Sequence, residues 1–215
     1  MKKGLTELVF ILDKSGSMSG LEKDTIGGYN AMLVKQKAVD GECYITTVLF
    51  NNGYELLHDR IDSRAVGPLS EKEYQVGGTT ALLDAIGQTI HKIGNAQKYT
   101  AEEYRAEKVM FVIITDGAEN SSREYSPEQV RQMVERQKTC YGWEFIFLGA
   151  NIDAVETAGN FGITAARAQN FHADSKGVRL NFQVMSEAIS TFRENKMPEN
   201  WKDEIEEDYR RREGK

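Results

Sequence analysis

Leu8-Val9-Phe10-Ile11-Leu12 is an unbroken apolar run that stops at Asp13 and is followed by Lys14-Ser15-Gly16-Ser17-Met18. A run with no polar alternation reads as a strand buried on both faces, the kind found in the middle of a parallel sheet. Such a strand needs helices on either side of it, so this one stretch points to a layered α/β fold. It also places Asp13, Ser15 and Ser17 in the loop leaving the strand's carboxyl end, the edge where open α/β sheets bind ligands. All three side chains end in oxygen. One carboxylate and two hydroxyls on a tight turn suit a hard divalent cation such as magnesium, which prefers oxygen ligands.

The rest of the chain alternates strands and helices. Gly20 to Ala38 reads as a helix in which Gly27-Gly28 is a weak point that lets it pack close to the sheet. Glu42 to Phe50 is β-branched and apolar, and Asn51-Asn52-Gly53 marks a hairpin. Its partner, Tyr54 to Ile61, must therefore run antiparallel and belongs at a sheet edge. Ser63 to Gln75 is a loop or helical turn. Ala81 to Gly94 carries apolar residues at helical spacing on one face. Thr100 to Ala106 reads as a charged helical segment. Lys108 to Thr115 is a second buried strand, ending at Asp116-Gly117. Ser126-Pro127 caps a helix running to about Lys138, and Trp143 to Leu148 is the next strand. Asp153 to Phe161 is a short helix, Ala168 to His172 a short strand, and Gly177 to Glu194 a helix. Pro198 to Arg212 is a charged tail with one aromatic anchor, Trp201. The fold class this predicts is α/β: a Rossmann-like, doubly wound, mostly parallel sheet with one antiparallel edge strand and helices on both faces. Residues 1–195 form one domain in this reading, and 196–215 a charged C-terminal helical extension.

A chain of 215 residues can bury a substantial core without staples. The formal net charge is −6, so no basic footprint for nucleic acid exists. No stretch is long enough to span a bilayer. A signal-peptide reading of the N-terminus would remove Asp13, and it is rejected. Cys43 and Cys140 read as buried or half-buried thiols of a reducing compartment, with one disulfide left open. The expected location is cytoplasmic. His58, His91 and His172 lack metal spacing and read as structural or surface residues.

Asp13-Lys14-Ser15-Gly16-Ser17 resembles the D-x-S-x-S motif of von Willebrand factor type A domains, where it builds the metal-ion-dependent adhesion site (MIDAS). Gly78-Thr79-Thr80-Ala81-Leu82 resembles the family's threonine-bearing loop. Ile113-Ile114-Thr115-Asp116-Gly117 resembles its strand end with a second aspartate. The three pieces stand in the family's order, and the likeness runs from about Leu5 to Phe171. It extends to small bacterial or phage chains that stand alone. The resemblance implies a metal site of Asp13, Ser15, Ser17, Thr80 and Asp116, with Thr79 as the alternative to Thr80. It further implies that Ser15, Ser17 and the threonine touch the metal and that the aspartates act partly through water. The expected cofactor is Mg2+, with Mn2+ or Ca2+ as alternatives. The expected partner is a protein presenting Asp or Glu to the metal, with no nucleic acid and no membrane involved.

Other chemistries fit the same residues poorly. An EF-hand counted from Asp13 would need Gly and Glu where Met18 and Asp24 stand. No phosphate loop of the G-x-x-x-x-G-K-[ST] type occurs, and Ser15 and Ser17 have no histidine nearby in sequence. The chain is therefore expected not to be an enzyme. The alternatives are a metal-assisted phosphoester hydrolase and a structural component whose metal only stabilises loops. Glu119, Asn120, Asn151 and Asp153 follow strand ends on the same edge; Glu119 and Asn120 are expected to rim the site and choose the partner, whereas Asn151 and Asp153 read first as loop and cap residues.

Overall fold

The computed structural model describes residues 1–213. Six strands form one sheet in the order β3-β2-β1-β4-β5-β6. The apolar run lies in β1 (Lys2–Asp13), which sits mid-sheet between β2 (Cys43–Phe50) and β4 (Ala106–Thr115), parallel to both. β5 (Glu144–Gly149) and β6 (Ala168–Asn170) continue in parallel, and β3 (Tyr54–Asp62) closes the other edge antiparallel to β2. The doubly wound sheet with one antiparallel edge strand is the architecture expected from the alternation of elements.

The pleat of β1 splits the core in two. Leu8, Phe10 and Leu12 face α1 (Glu22–Ala38) and α5 (Ser175–Glu194), meeting Tyr29, Met32, Phe182 and Met185. Val9 and Ile11 face α2 (Leu82–Tyr99) and α3 (Pro127–Tyr141), meeting Ile86, Ile90, Val130 and Val134. Each buried Leu, Ile or Phe contributes about 1.5–3 kcal/mol to such a core, so the central strand cannot leave this position. α4 (Ala154–Asn160) joins the second layer through Ala154 and Ala158. α3 begins as its sequence predicts: Ser126 and Gln129 form a reciprocal capping box, with Pro127 at the first helical position.

Four expectations are corrected. Thr100 to Ala106 is not a helix: only a single 3-10 turn, Glu102–Tyr104, forms. β4 already begins at Ala106, because β1 extends back to Lys2 and gives Ala106 a backbone partner. Gly28 does not bring α1 toward the sheet. A Cβ there would lie 2.4 Å from the Phe182 ring, so this glycine admits α5 instead. Cys140 is exposed, whereas Cys43 is buried, and both are free thiols. The charged tail carries α6 (Asp203–Glu213). Trp201 and Ile205 are buried in the same cluster as Leu8 and Phe10, and the Trp201 indole donates to the Ala166 carbonyl at 2.9 Å. Gly214 and Lys215, the end of the expected extension, lie outside the described residues. Among the described residues no helix is long and apolar enough to cross a membrane.

Candidate metal centre

The carboxyl edge of the sheet gathers three loops. The first leaves β1. Its Asp13 is buried and fully bonded: Oδ1 accepts from the Ser15 amide at 2.7 Å and Oδ2 from the Thr115 hydroxyl at 2.5 Å. The register explains the second bond, since Leu12 pairs with Ile114 and the next residues stand side by side. A single 3-10 turn over Gly16–Met18 then carries Ser17 back over the site. The Ser15 and Ser17 hydroxyls lie 3.0 Å apart, and Ser17 donates to Asp116 Oδ1 at 2.6 Å. Asp13, Ser15, Ser17 and Asp116 thus form one connected polar group.

The second loop supplies Thr80. It is stitched to the first by the Gly16 amide on the Gly78 carbonyl (3.0 Å) and the Gly77 amide on the Lys14 carbonyl (2.9 Å). Gly78 has φ +80°, a left-handed conformation that favours glycine, and its open side faces the Asn52 side chain. Thr80 is buried while Thr79 is exposed. Gly117 shows where the Thr80 hydroxyl lies. A Cβ built on Gly117 would stand 3.3 Å from Thr80 Oγ1 and 3.1 Å from Ser17 Oγ. The glycine keeps open a space that both hydroxyls border. Of the two threonines, Thr80 therefore joins the group.

The third loop leaves β4 with Asp116. Its Oδ1 is taken by Ser17, but its Oδ2 is buried and has no hydrogen-bond partner. A buried carboxylate oxygen without a donor is costly. Burial pushes the carboxyls of both Asp13 and Asp116 above the usual carboxylate range, and the Asp13 charge adds to the effect at Asp116. The opposing bonds from Thr115, Ser15 and Ser17 do not cancel it. These are acids that gain from a positive charge placed between them. The donor set is three hydroxyls and two carboxylates, all hard oxygens, which is what magnesium, manganese or calcium takes. Among the described residues no group of three or more His, Cys, Asp or Glu has metal-binding geometry.

Several supporting residues escaped the sequence reading. Thr115 and Gly117 flank Asp116 within the quoted motif, and only the tertiary contacts show their roles. Tyr74 is buried behind the first loop and donates its hydroxyl to the Asp13 carbonyl. Nothing in the sequence marks it, because its loop lies 61 residues from Asp13. The expected rim residues Glu119 and Asn120 make contacts within the protein. The Glu119 carboxylate is consumed by the amides of Leu83, Ser121 and Ser122 and by the Ser122 hydroxyl. Asn120 clasps Thr80 by accepting from its amide at 2.9 Å and donating its own amide to the Thr80 carbonyl at 3.0 Å. Both residues therefore brace loops of the site. Asn151 donates to the Asp116 carbonyl at 3.2 Å, and Asp153 caps α4.

The sequence matches no protein-family model, and no curated protein is similar to it. Solved structures are similar. A von Willebrand factor type A protein from Catenulispora acidiphila superposes with a TM-score of 0.58 at 15% identity, covering 85% of this chain and 42% of that one. Proximal thread matrix protein 1 from the mussel byssus, with a zinc-occupied MIDAS motif, gives 0.57 at 15% identity over 87% of this chain and 46% of the other. The manganese-loaded TRAP protein of Plasmodium vivax gives 0.54 at 16% identity, over 84% and 72%. The chain thus spans less than half the length of two of these three structures. It has the von Willebrand factor type A fold: a mostly parallel six-stranded sheet, one antiparallel edge strand, and helices around it.

Proposed function

We propose that the chain is a metal-dependent interaction module. Asp13, Ser15, Ser17, Thr80 and Asp116 would hold a divalent cation, magnesium foremost, and a protein partner would add an aspartate or glutamate. The observation that carries this reading is the unpartnered buried Oδ2 of Asp116, beside hydroxyls from two other loops. Two solved structures of the same fold, one manganese-loaded and one with zinc in its MIDAS motif, support the reading. The cation would supply an electrophilic centre that accepts an outside carboxylate. The protein's part is to keep that centre under-neutralised. It offers neutral hydroxyls from Ser15, Ser17 and Thr80, and it ties the Asp13 carboxylate to Thr115 and Ser15. An incoming carboxylate then gains more than it would at an acid-rich site.

Two measurements test this. Calorimetric titration with Mg2+ should give saturable binding to the wild type and none to Asp116→Ala. A pull-down from native lysate should retain a partner with wild type in Mg2+ and release it in EDTA or with Asp116→Ala. Equal retention in all three conditions would overturn metal-mediated capture.

A further inference from the structure

Three features meet beside the metal site: Asn151 and Asp153 after β5, His172 after β6, and Tyr209 of α6. They line a cavity of about 360 Å³ together with Ile152 and Phe171. The cavity adjoins the candidate metal centre through Asn151. That residue holds φ +55°, a left-handed conformation asparagine tolerates, and its side-chain amide donates to the Asp116 carbonyl. One wall is a stacked pair of rings. His172 and Tyr209 lie 4.7 Å apart at 24°, and the His172 Nε2–H donates to the Tyr209 carbonyl at 3.2 Å. Phe171 is buried beneath. The lining also carries one acid, Asp153. Its Oδ1 accepts from the Glu156 amide at 2.9 Å, and it forms no ion pair among the described residues.

The charges fix what such a cavity takes. The nearby cations are already committed: Lys176 to Asp208, and Arg212 to both Asp174 and Asp208. Among the described residues no lysine or arginine lines the cavity. Burial pushes the Tyr209 phenol up, with Glu213 and Asp153 adding to the effect, and Asp153 shares the cavity lining with Tyr209. An aromatic face beside an unpaired carboxylate attracts a cation. A flat guanidinium suits it better than an ammonium, because it stacks on the ring while its N–H fork reaches the carboxylate.

We propose that this cavity seats an arginine side chain of the partner protein, beside the acidic residue that reaches the metal. The proposal rests on the metal-dependent reading for the second contact, but the arginine seat itself needs no metal. The module would then read an acidic and a basic side chain together, with residues of the C-terminal extension building part of the surface.

The test uses N-acetyl-arginine amide, followed by backbone amide NMR shifts of the full chain in EDTA. The control is N-acetyl-citrulline amide, which keeps the shape and lacks the charge. Shifts at Asn151, Asp153 and Tyr209 with arginine and not with citrulline are expected. Asp153→Asn, which retains the helix cap, and Tyr209→Leu should each weaken arginine binding by roughly threefold. Both variants are checked for unchanged amide spectra elsewhere. Equal shifts with citrulline, or arginine binding unaffected in both variants, would overturn the proposal. A short peptide carrying one Asp and one Arg is then titrated with and without Mg2+. A gain on adding Mg2+ supports the metal reading and its absence counts against that reading, whereas the seat is decided in EDTA.

Discussion

At the residue scale, the site depends on one absent side chain as much as on the five present. Gly117 sits where a methyl group would press on the Ser17 and Thr80 hydroxyls, at 3.1 and 3.3 Å. Neither hydroxyl can retreat far: Ser17 is bonded to Ser15 and Asp116, and the Thr80 backbone is clasped by Asn120. Gly117→Ala is therefore expected to lower Mg2+ affinity by about tenfold, within the range for residues that orient metal ligands. Its unfolding temperature should change little. Calorimetric titration and a thermal melt check the two halves separately. Asp13, by contrast, is a residue whose neighbours prescribe its geometry. Thr115, the Ser15 amide and, through the backbone carbonyl, Tyr74 leave it no freedom to turn away.

At the scale of elements, α1 and α5 form a joint with little slack. Gly28 of α1 lies against the Phe182 ring, and its absent Cβ would fall 2.4 to 3.0 Å from three carbons of that buried side chain. Polar contacts fasten the C-terminal end of α1 to α5. Gln36 donates to the Ser186 carbonyl, and the Arg193 guanidinium caps the end of α1 at the carbonyls of Gln36, Val39 and Gly41. A ring wedged between such fixed points cannot swing aside. Gly28→Ala should raise helix propensity yet destabilise the fold by about 1–3 kcal/mol through overpacking, as read by urea denaturation. The sequence pattern shows a helix with two adjacent glycines; that one of them receives α5 is visible only once α5 is docked. The charged segment after α2 shows the reverse case. Its composition favours helix, but the backbone of Ala106 finds a partner in β1, and the strand wins.

At the scale of the whole molecule, one buried ion pair couples stability to pH. Glu7 of β1 is fully buried, paired with Arg60 of β3 at 2.6 Å and bonded by Gln97 of α2. Burial raises its pKa, and Arg60 and Gln97 only partly offset this. A carboxyl raised in the folded state binds its proton more tightly there than in the unfolded chain. Its contribution is thus most favourable while protonated and declines as pH rises through and above the ordinary carboxylate range. The stability of wild type relative to Glu7→Gln should accordingly fall as pH increases from about 4 to about 7. A difference that grows over that range, in denaturant titrations at each pH, would contradict this account. The same long-range architecture separates what was legible in the chain from what was not. The apolar run of β1, the hairpin signal at Asn51-Asn52-Gly53 and the capping pair at Ser126-Pro127 are local. They act through burial, turn conformation and amide satisfaction within a few residues, so the sequence alone determined the layered α/β fold, its antiparallel edge and the loop that carries Asp13, Ser15 and Ser17. Residues far apart in the chain meet only because parallel register brings strand ends to one edge. Tertiary structure therefore decided that Thr80 and not Thr79 turns inward, that Gly117 keeps space for two hydroxyls, that Glu119 and Asn120 brace loops, and that Tyr209 reaches the neighbourhood of Asp153. Those contacts depend on where whole elements dock, and no local pattern encodes that.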